Sequence, residues 1–198
     1  MPRATTPADE LPTIICATPA EWEAWLDAEH ERTPAGVWLQ IAKKGTGVPS
    51  ITQAEAVEVA LCFGWIDGQA RRVDDTFFRQ RFTPRRKRSI WSKINRDRAL
   101  ALIDQGRMRP AGLAEVERAQ ADGRWDAAYD GPATATVPDD LRAALDGNPA
   151  AAAAFAELDA QNRYAILHRV QTAVKPETRA ARIARFVAML ADGDRPYP

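Results

Sequence analysis

Apolar residues recur along this chain at two different spacings, and the change from one to the other marks out its elements. Trp22, Trp25 and Leu26 fall three and four residues apart, on one face of a helix. Just ahead, Thr18-Pro19-Ala20-Glu21 supplies a threonine N-cap, a proline at the first helical position and a glutamate three residues on, which together make a capping box. The stretch Val37-Trp38-Leu39-Gln40-Ile41 instead alternates and is rich in β-formers, predicting a strand that Lys43-Lys44-Gly45-Thr46-Gly47 ends. A second capping box, Thr52 to Glu55, opens a helix through Ala56, Val59, Ala60 and Phe63 that stops at Gly64. Residues 66–73 and 76–82 flank Asp74-Asp75 and predict an antiparallel hairpin. Phe78, Gln80 and Phe82 share one of its faces, and Phe77, Arg79 and Arg81 the other.

Beyond Thr83-Pro84 the pattern turns helical. Four successive basic residues, Arg85, Arg86, Lys87 and Arg88, precede Ser89-Ile90-Trp91-Ser92 and a helix that Asn95 can cap and Gly106 can end. Pro110 starts another helix, which Gly123 closes. The run Gly131-Pro132-Ala133-Thr134-Ala135-Thr136-Val137-Pro138 has linker composition, and the alanine-rich helical patterns after it break at Gly147-Asn148-Pro149 and Lys175-Pro176. Ile183, Phe186, Val187 and Leu190 give the last helix a packing face. The expected fold is α+β: a small antiparallel sheet with packed helices over residues 1–130, with 1–12 disordered. A linker over 131–138 then leads to an α-helical C-terminal subdomain over 139–198.

Composition agrees with a folded globular chain, since 45% of residues are hydrophobic and 27% charged. There is no apolar run of the length a membrane helix needs, and the N-terminus lacks the apolar core of a secretory signal, so a cytoplasmic protein without membrane insertion is expected. Cys16 and Cys62 lack metal-ligand spacing, and Cys62 lies in an apolar run that favours a buried, reduced thiol. His30 and His168 stand far apart, which gives neither a zinc site nor a histidine-based triad support; each reads as a surface or helix-packing residue. No Gly-rich phosphate loop appears, and no cofactor is expected.

Charge changes the picture only locally. The formal net charge is zero, yet residues 1–66 carry −5 and residues 67–98 carry +7. A concentrated basic segment is a hint about anionic partners where global charge is not. Within and beside it, Trp65, Asp67, Arg79, Arg81, Arg88, Trp91, Ser92, Lys93 and Asn95 combine aromatic faces, forked cationic donors, small polar groups and one acid. Arginine grips a phosphate or carboxylate at two points, and tryptophan stacks on a base, a ring or a guanidinium. These nine form the candidate ligand site, with Arg81, Trp91 and Asn95 expected to converge on one pocket. The alternative is structural: the tryptophans in the core, Asp67 paired with an arginine, Ser92 or Asn95 capping a helix. Lys175, Arg179 and Arg182 form a second basic group on the last helix, whose plainer role is pairing with acids such as those between Glu21 and Glu31.

Several ordered runs carry a family resemblance. Cys62-Phe63-Gly64-Trp65-Ile66-Asp67-Gly68, Arg81-Phe82-Thr83-Pro84-Arg85-Arg86, Ser89-Ile90-Trp91-Ser92-Lys93-Ile94-Asn95, Gly106-Arg107-Met108-Arg109-Pro110-Ala111-Gly112 and Gly123-Arg124-Trp125 lie in the first part of the chain, and Lys175-Pro176-Glu177-Thr178-Arg179-Ala180-Ala181-Arg182-Ile183 near its end. Over roughly residues 18–192 the chain resembles the bacterial YdeI/OmpD-associated, or bacteriocin-protection, family. The resemblance implies a link to protection from bacteriocins or cationic peptides but no molecular mechanism. The preferred reading is a cytosolic binding or regulatory module, in a stress response, for an anionic small molecule or phosphorylated partner. Weak nucleic-acid binding through the 71–98 segment is the first alternative. An enzyme using Asp67 and arginines is the second, and it lacks an identifiable partner for Asp67 or a nucleophile.

Overall fold

The computed structural model describes residues 11–198, and the chain divides into two compact units. One runs to Trp91 and resumes over Asn95–Ala127; the other comprises Ser92–Ile94 and Ala128–Pro198.

The first unit is built on a four-stranded sheet of order β1-β2-β4-β3, formed by β1 (Thr13–Ile15), β2 (Val37–Ala42), β3 (Trp65–Arg72) and β4 (Phe77–Pro84). The pairs β2/β4 and β3/β4 are antiparallel, as the hairpin pattern predicts, but β1 runs parallel to β2, so the sheet is mixed. Three residues are too few to display a two-residue period, which is why β1 escapes a pattern reading. Pro12, within the stretch expected to be disordered, accepts a hydrogen bond from the Trp38 N–H at 2.9 Å; the rest of that expectation, over 1–10, lies outside the described residues.

Helices α1 (Pro19–Glu29), α2 (Gln53–Cys62) and α4 (Pro110–Ala121) belong to this unit, as does α3 (Lys93–Asp104) from Asn95 onward. Thr52 and Glu55 form the reciprocal capping box of α2. At α1, Thr18 caps the Glu21 N–H, while the Glu21 carboxylate reaches one residue further back, to the Ala17 N–H at 2.9 Å. Trp22 and Leu26 of α1 are fully buried, and the Trp22 indole N–H donates to the Ala56 carbonyl at 3.2 Å, joining α1 to α2. Burying side chains of this size contributes roughly 1.5–3 kcal/mol each, and β2 adds Val37, Trp38, Leu39 and Ile41, all buried. Both cysteines are buried and free, and burial pushes the Cys16 thiol up to about 11.

Two glycines set how α2 ends and what packs on it. Gly64 adopts φ 70°, and a Cβ there would lie 2.9 Å from the Ala111 carbonyl oxygen; at Gly112 a Cβ would lie 2.3 Å from the Cys62 carbonyl oxygen. Only glycine allows α4 to approach the end of α2 this closely. Asn95, expected to cap α3, instead lies inside it, because the helix begins at Lys93.

The second unit holds α5 (Asp139–Asp146), α6 (Pro149–Ala156), α7 (Ala160–Gln171) and α8 (Pro176–Ala191) around a core that includes Leu141, Phe155, Ile166, Phe186 and Leu190. Asn148 and Asp159 cap α6 and α7. Residues 131–138 begin with a turn closed onto the Gly131 carbonyl by the Thr134 and Ala135 N–H groups, and Ala135 and Val137 then pack against this core. Among the described residues no helix is long and apolar enough to cross a membrane.

Candidate functional site

The antiparallel ladder of β3 and β4 is interrupted between Asp67 and Ala70. Asp67 pairs with Phe82 and Ala70 with Gln80, so Gly68 and Gln69 together face Arg81 alone. This is a β-bulge, a device that re-aims side chains at the rim of a sheet. Gln80, almost fully buried, fixes it by donating to the Gly68 carbonyl at 2.7 Å while accepting from Gln53 at 3.3 Å.

Next to the bulge lies an open pocket of about 280 Å³, lined by Gly68, Gln69, Arg81, Thr83, Pro84, Arg86 and Ser89. Arg81 and Thr83 reach it because alternate β4 residues share a face, the opposite face carrying buried Gln80 and Phe82. One Nη of Arg81 donates to the Ala35 carbonyl at 3.2 Å. Its Nε is buried and meets no acceptor among the described residues. Arg86 is exposed, and its backbone N–H donates to the Ser89 hydroxyl at 2.9 Å, which closes the loop at the pocket rim.

Behind this pocket the basic run changes character. Arg85 is only 5% exposed, and its guanidinium lies 3.6 Å from the centroid of the Trp91 ring. It donates to the Ile90 carbonyl at 3.2 Å, and its backbone N–H donates to the Gly64 carbonyl at 2.9 Å. Trp91 is 1% exposed and meets Trp125 edge-on at 4.9 Å. Arg124 ties the same loop down through the Ser89 carbonyl at 2.7 Å. Asp67, half-buried, has its carboxyl pushed above the usual carboxylate range by burial; a backbone hydrogen bond and the charges of Arg85 and Arg98 pull it partway back.

Two family comparisons match this chain. A domain of unknown function, DUF8412, matches residues 14–115, and the bacteriocin-protection, YdeI or OmpD-associated family matches residues 134–193. The chain belongs to the DUF8412 family, and its C-terminal part matches the YdeI/OmpD-associated family. No curated protein and no solved structure matches it. The YdeI/OmpD-associated match is thus narrower than the 18–192 span of the resemblance, and the runs between Cys62 and Gly112 fall under the DUF8412 match. Those runs largely build the frame: the Arg85 N–H meets the Gly64 carbonyl, and the Arg109 N–H meets the Cys62 carbonyl at 3.0 Å.

Of the nine residues singled out in the sequence, Arg81 lines the pocket and Asp67 stands at the start of the bulge beside it. Trp65 does not present a stacking face: it is 1% exposed and meets Trp22 and Trp25 edge-on. Trp91 is likewise inside the core, so Arg81, Trp91 and Asn95 do not line one pocket. Arg79 covers Trp38 at 4.6 Å, and Arg88 is exposed on the loop. Asn95 accepts from Arg98 at 3.4 Å. Ser92 and Lys93 belong to the other unit, where Ser92 bridges to Tyr129 and Lys93 pairs with Asp130 at 2.7 Å.

The second basic group is also engaged. Arg179 holds Asp140 through two contacts of 2.5 and 2.9 Å and donates to the Val170 carbonyl at 3.0 Å, so its acid is in α5 and not among residues 21–31. Arg182 donates to the Arg169 carbonyl, and Lys175 is exposed at the start of α8. Sequence reasoning missed Arg85, Arg86 and Ser89. Nothing in the local pattern singles out Arg85: it shares the β4 phase of Arg81 and Thr83 on the pocket face, and its burial comes from packing over Trp91 just past the strand's end.

Proposed function

We propose that the first unit binds a small phosphate-bearing anion in the pocket beside the β3–β4 bulge, and that the protein is a cytoplasmic binding or regulatory module. The observation that carries this is Arg81: its guanidinium lines an open pocket with a buried Nε that meets no acceptor among the described residues. A buried donor without an acceptor is costly, and an anion oxygen relieves that cost. Arg86 supplies a second cation at the rim and Ser89 a hydroxyl, a set suited to a tetrahedral anion gripped at several points. The bacteriocin-protection description of the family supports a place in a stress response.

Nucleic-acid binding is the weaker reading. Arg86, Lys87 and Arg88 are exposed and can meet phosphates, but Trp65 and Trp91 are buried and supply no stacking platform. Native mass spectrometry of gently purified protein tests the proposal. A phosphate-bearing small molecule is expected on the wild-type chain and should be missing from Arg81→Gln. Identical adducts on both proteins would count against the pocket.

A further inference from the structure

In the helical unit, a second cavity of about 440 Å³ opens along α7, with Ala160, Tyr164, Ala165 and His168 on its wall and Arg169 and Tyr197 beside them. Its volume lies within the roughly 300–1,000 Å³ usual for small-molecule sites. Ala160, Tyr164 and His168 recur every four residues and therefore share a helix face, where the small alanines leave the space that the rings border.

The walls are held in place. The Tyr164 hydroxyl donates to the Asp130 carbonyl at 3.1 Å, and the Tyr197 N–H donates to the side-chain oxygen of buried Asn162 at 2.8 Å. His168 meets Tyr129 edge-on at 4.7 Å and lies against Tyr164 at 5.7 Å. Burial first, then the charges of Arg169 and Arg182, keep its imidazole below the ordinary histidine value, so it is neutral at physiological pH. The cavity's cation is therefore Arg169. Its guanidinium lies 5.7 Å from the Tyr197 ring and makes a long contact of 3.4 Å to the Tyr197 hydroxyl, and it meets no carboxylate among the described residues.

We infer that this cavity is a binding site for a small aromatic carboxylate, with its ring beside Tyr164 and Tyr197 over the two alanines and its carboxylate on Arg169. The site is independent of the bulge pocket. Aromatic walls favour a flat apolar body, and a guanidinium lacking a counter-ion at one end favours an acid over its neutral analogue.

The test is a titration of the full ¹⁵N-labelled chain with 2-naphthoate and, separately, with the neutral 2-naphthamide. Saturable shifts confined to signals of the α7 wall and Tyr197 are expected for the acid, with affinity about tenfold or more above the amide, as befits one charge-assisted contact. Arg169→Gln should erase that preference while leaving Tm nearly unchanged, and Ala165→Leu should block both compounds by filling the cavity. Non-saturating shifts, or an acid preference that persists in Arg169→Gln, would overturn the assignment.

Discussion

Arg85 and Trp91 form a stacked pair in the interior of the first unit, guanidinium over indole at 3.6 Å, although Arg85 opens a run of four basic residues that reads as a solvated loop. A desolvated cation over a tryptophan contributes about 2 kcal/mol or more, whereas an exposed charge contributes within about 0.5 kcal/mol. Arg85→Ala should therefore lower unfolding free energy in urea by about 2 kcal/mol or more. Alanine at Arg86, Lys87 or Arg88 should change it little. Equal effects across the four positions would contradict the division of this run.

Asp67 gives the first unit a pH signature. Its carboxyl titrates above the ordinary value because burial disfavours the charge, so the folded state binds its proton more readily than the unfolded chain. The associated stability is fully present below the ordinary carboxylate value and is lost as pH rises through the raised one. Asp67→Asn removes this dependence, so its Tm relative to wild type should climb between about pH 4 and about pH 7. A constant difference across that range would show that Arg85 and Arg98 fully offset the burial.

In the helical unit the sign is reversed. Arg179 hydrogen-bonds Asp140 and holds its carboxyl below the usual range, a contribution present above the ordinary value and lost as pH falls through the lowered one. Both side chains are partly exposed, at 28% and 45%, so solvent screening limits the pair to about 1 kcal/mol. Asp140→Asn should cost about that much at neutral pH, less in acid, and less in high salt. Thermal melts at two salt concentrations check it.

Much of this fold can be read in the sequence, because most of its signals are local. The Thr52–Glu55 capping box, the φ-positive Gly64, Gly106 and Gly123, and the face of Ile183, Phe186 and Leu190 depend on residues a few positions apart. The strand β1 and the start of α3 were not legible: one is stabilised by pairing with β2, and the other begins where Ser92 bridges to Tyr129. The candidate site was legible in composition but not in direction. Trp65 and Trp91 look like ligand platforms in a list of residues, and only tertiary packing against Trp22, Trp25 and Trp125 turns both inward. The bulge that leaves Gly68 and Gln69 opposite Arg81 is a register shift, which a two-residue alternation does not reveal.

The most direct measurement is a calorimetric titration of the full chain with phenyl phosphate, repeated for Arg81→Gln and Arg88→Gln, with Tm recorded for each. Saturable binding by wild type and by Arg88→Gln, weakened about tenfold or more in Arg81→Gln at unchanged Tm, is the predicted result. Binding that is absent in wild type, or that survives Arg81→Gln with the same affinity, would contradict the pocket beside the bulge as an anion site.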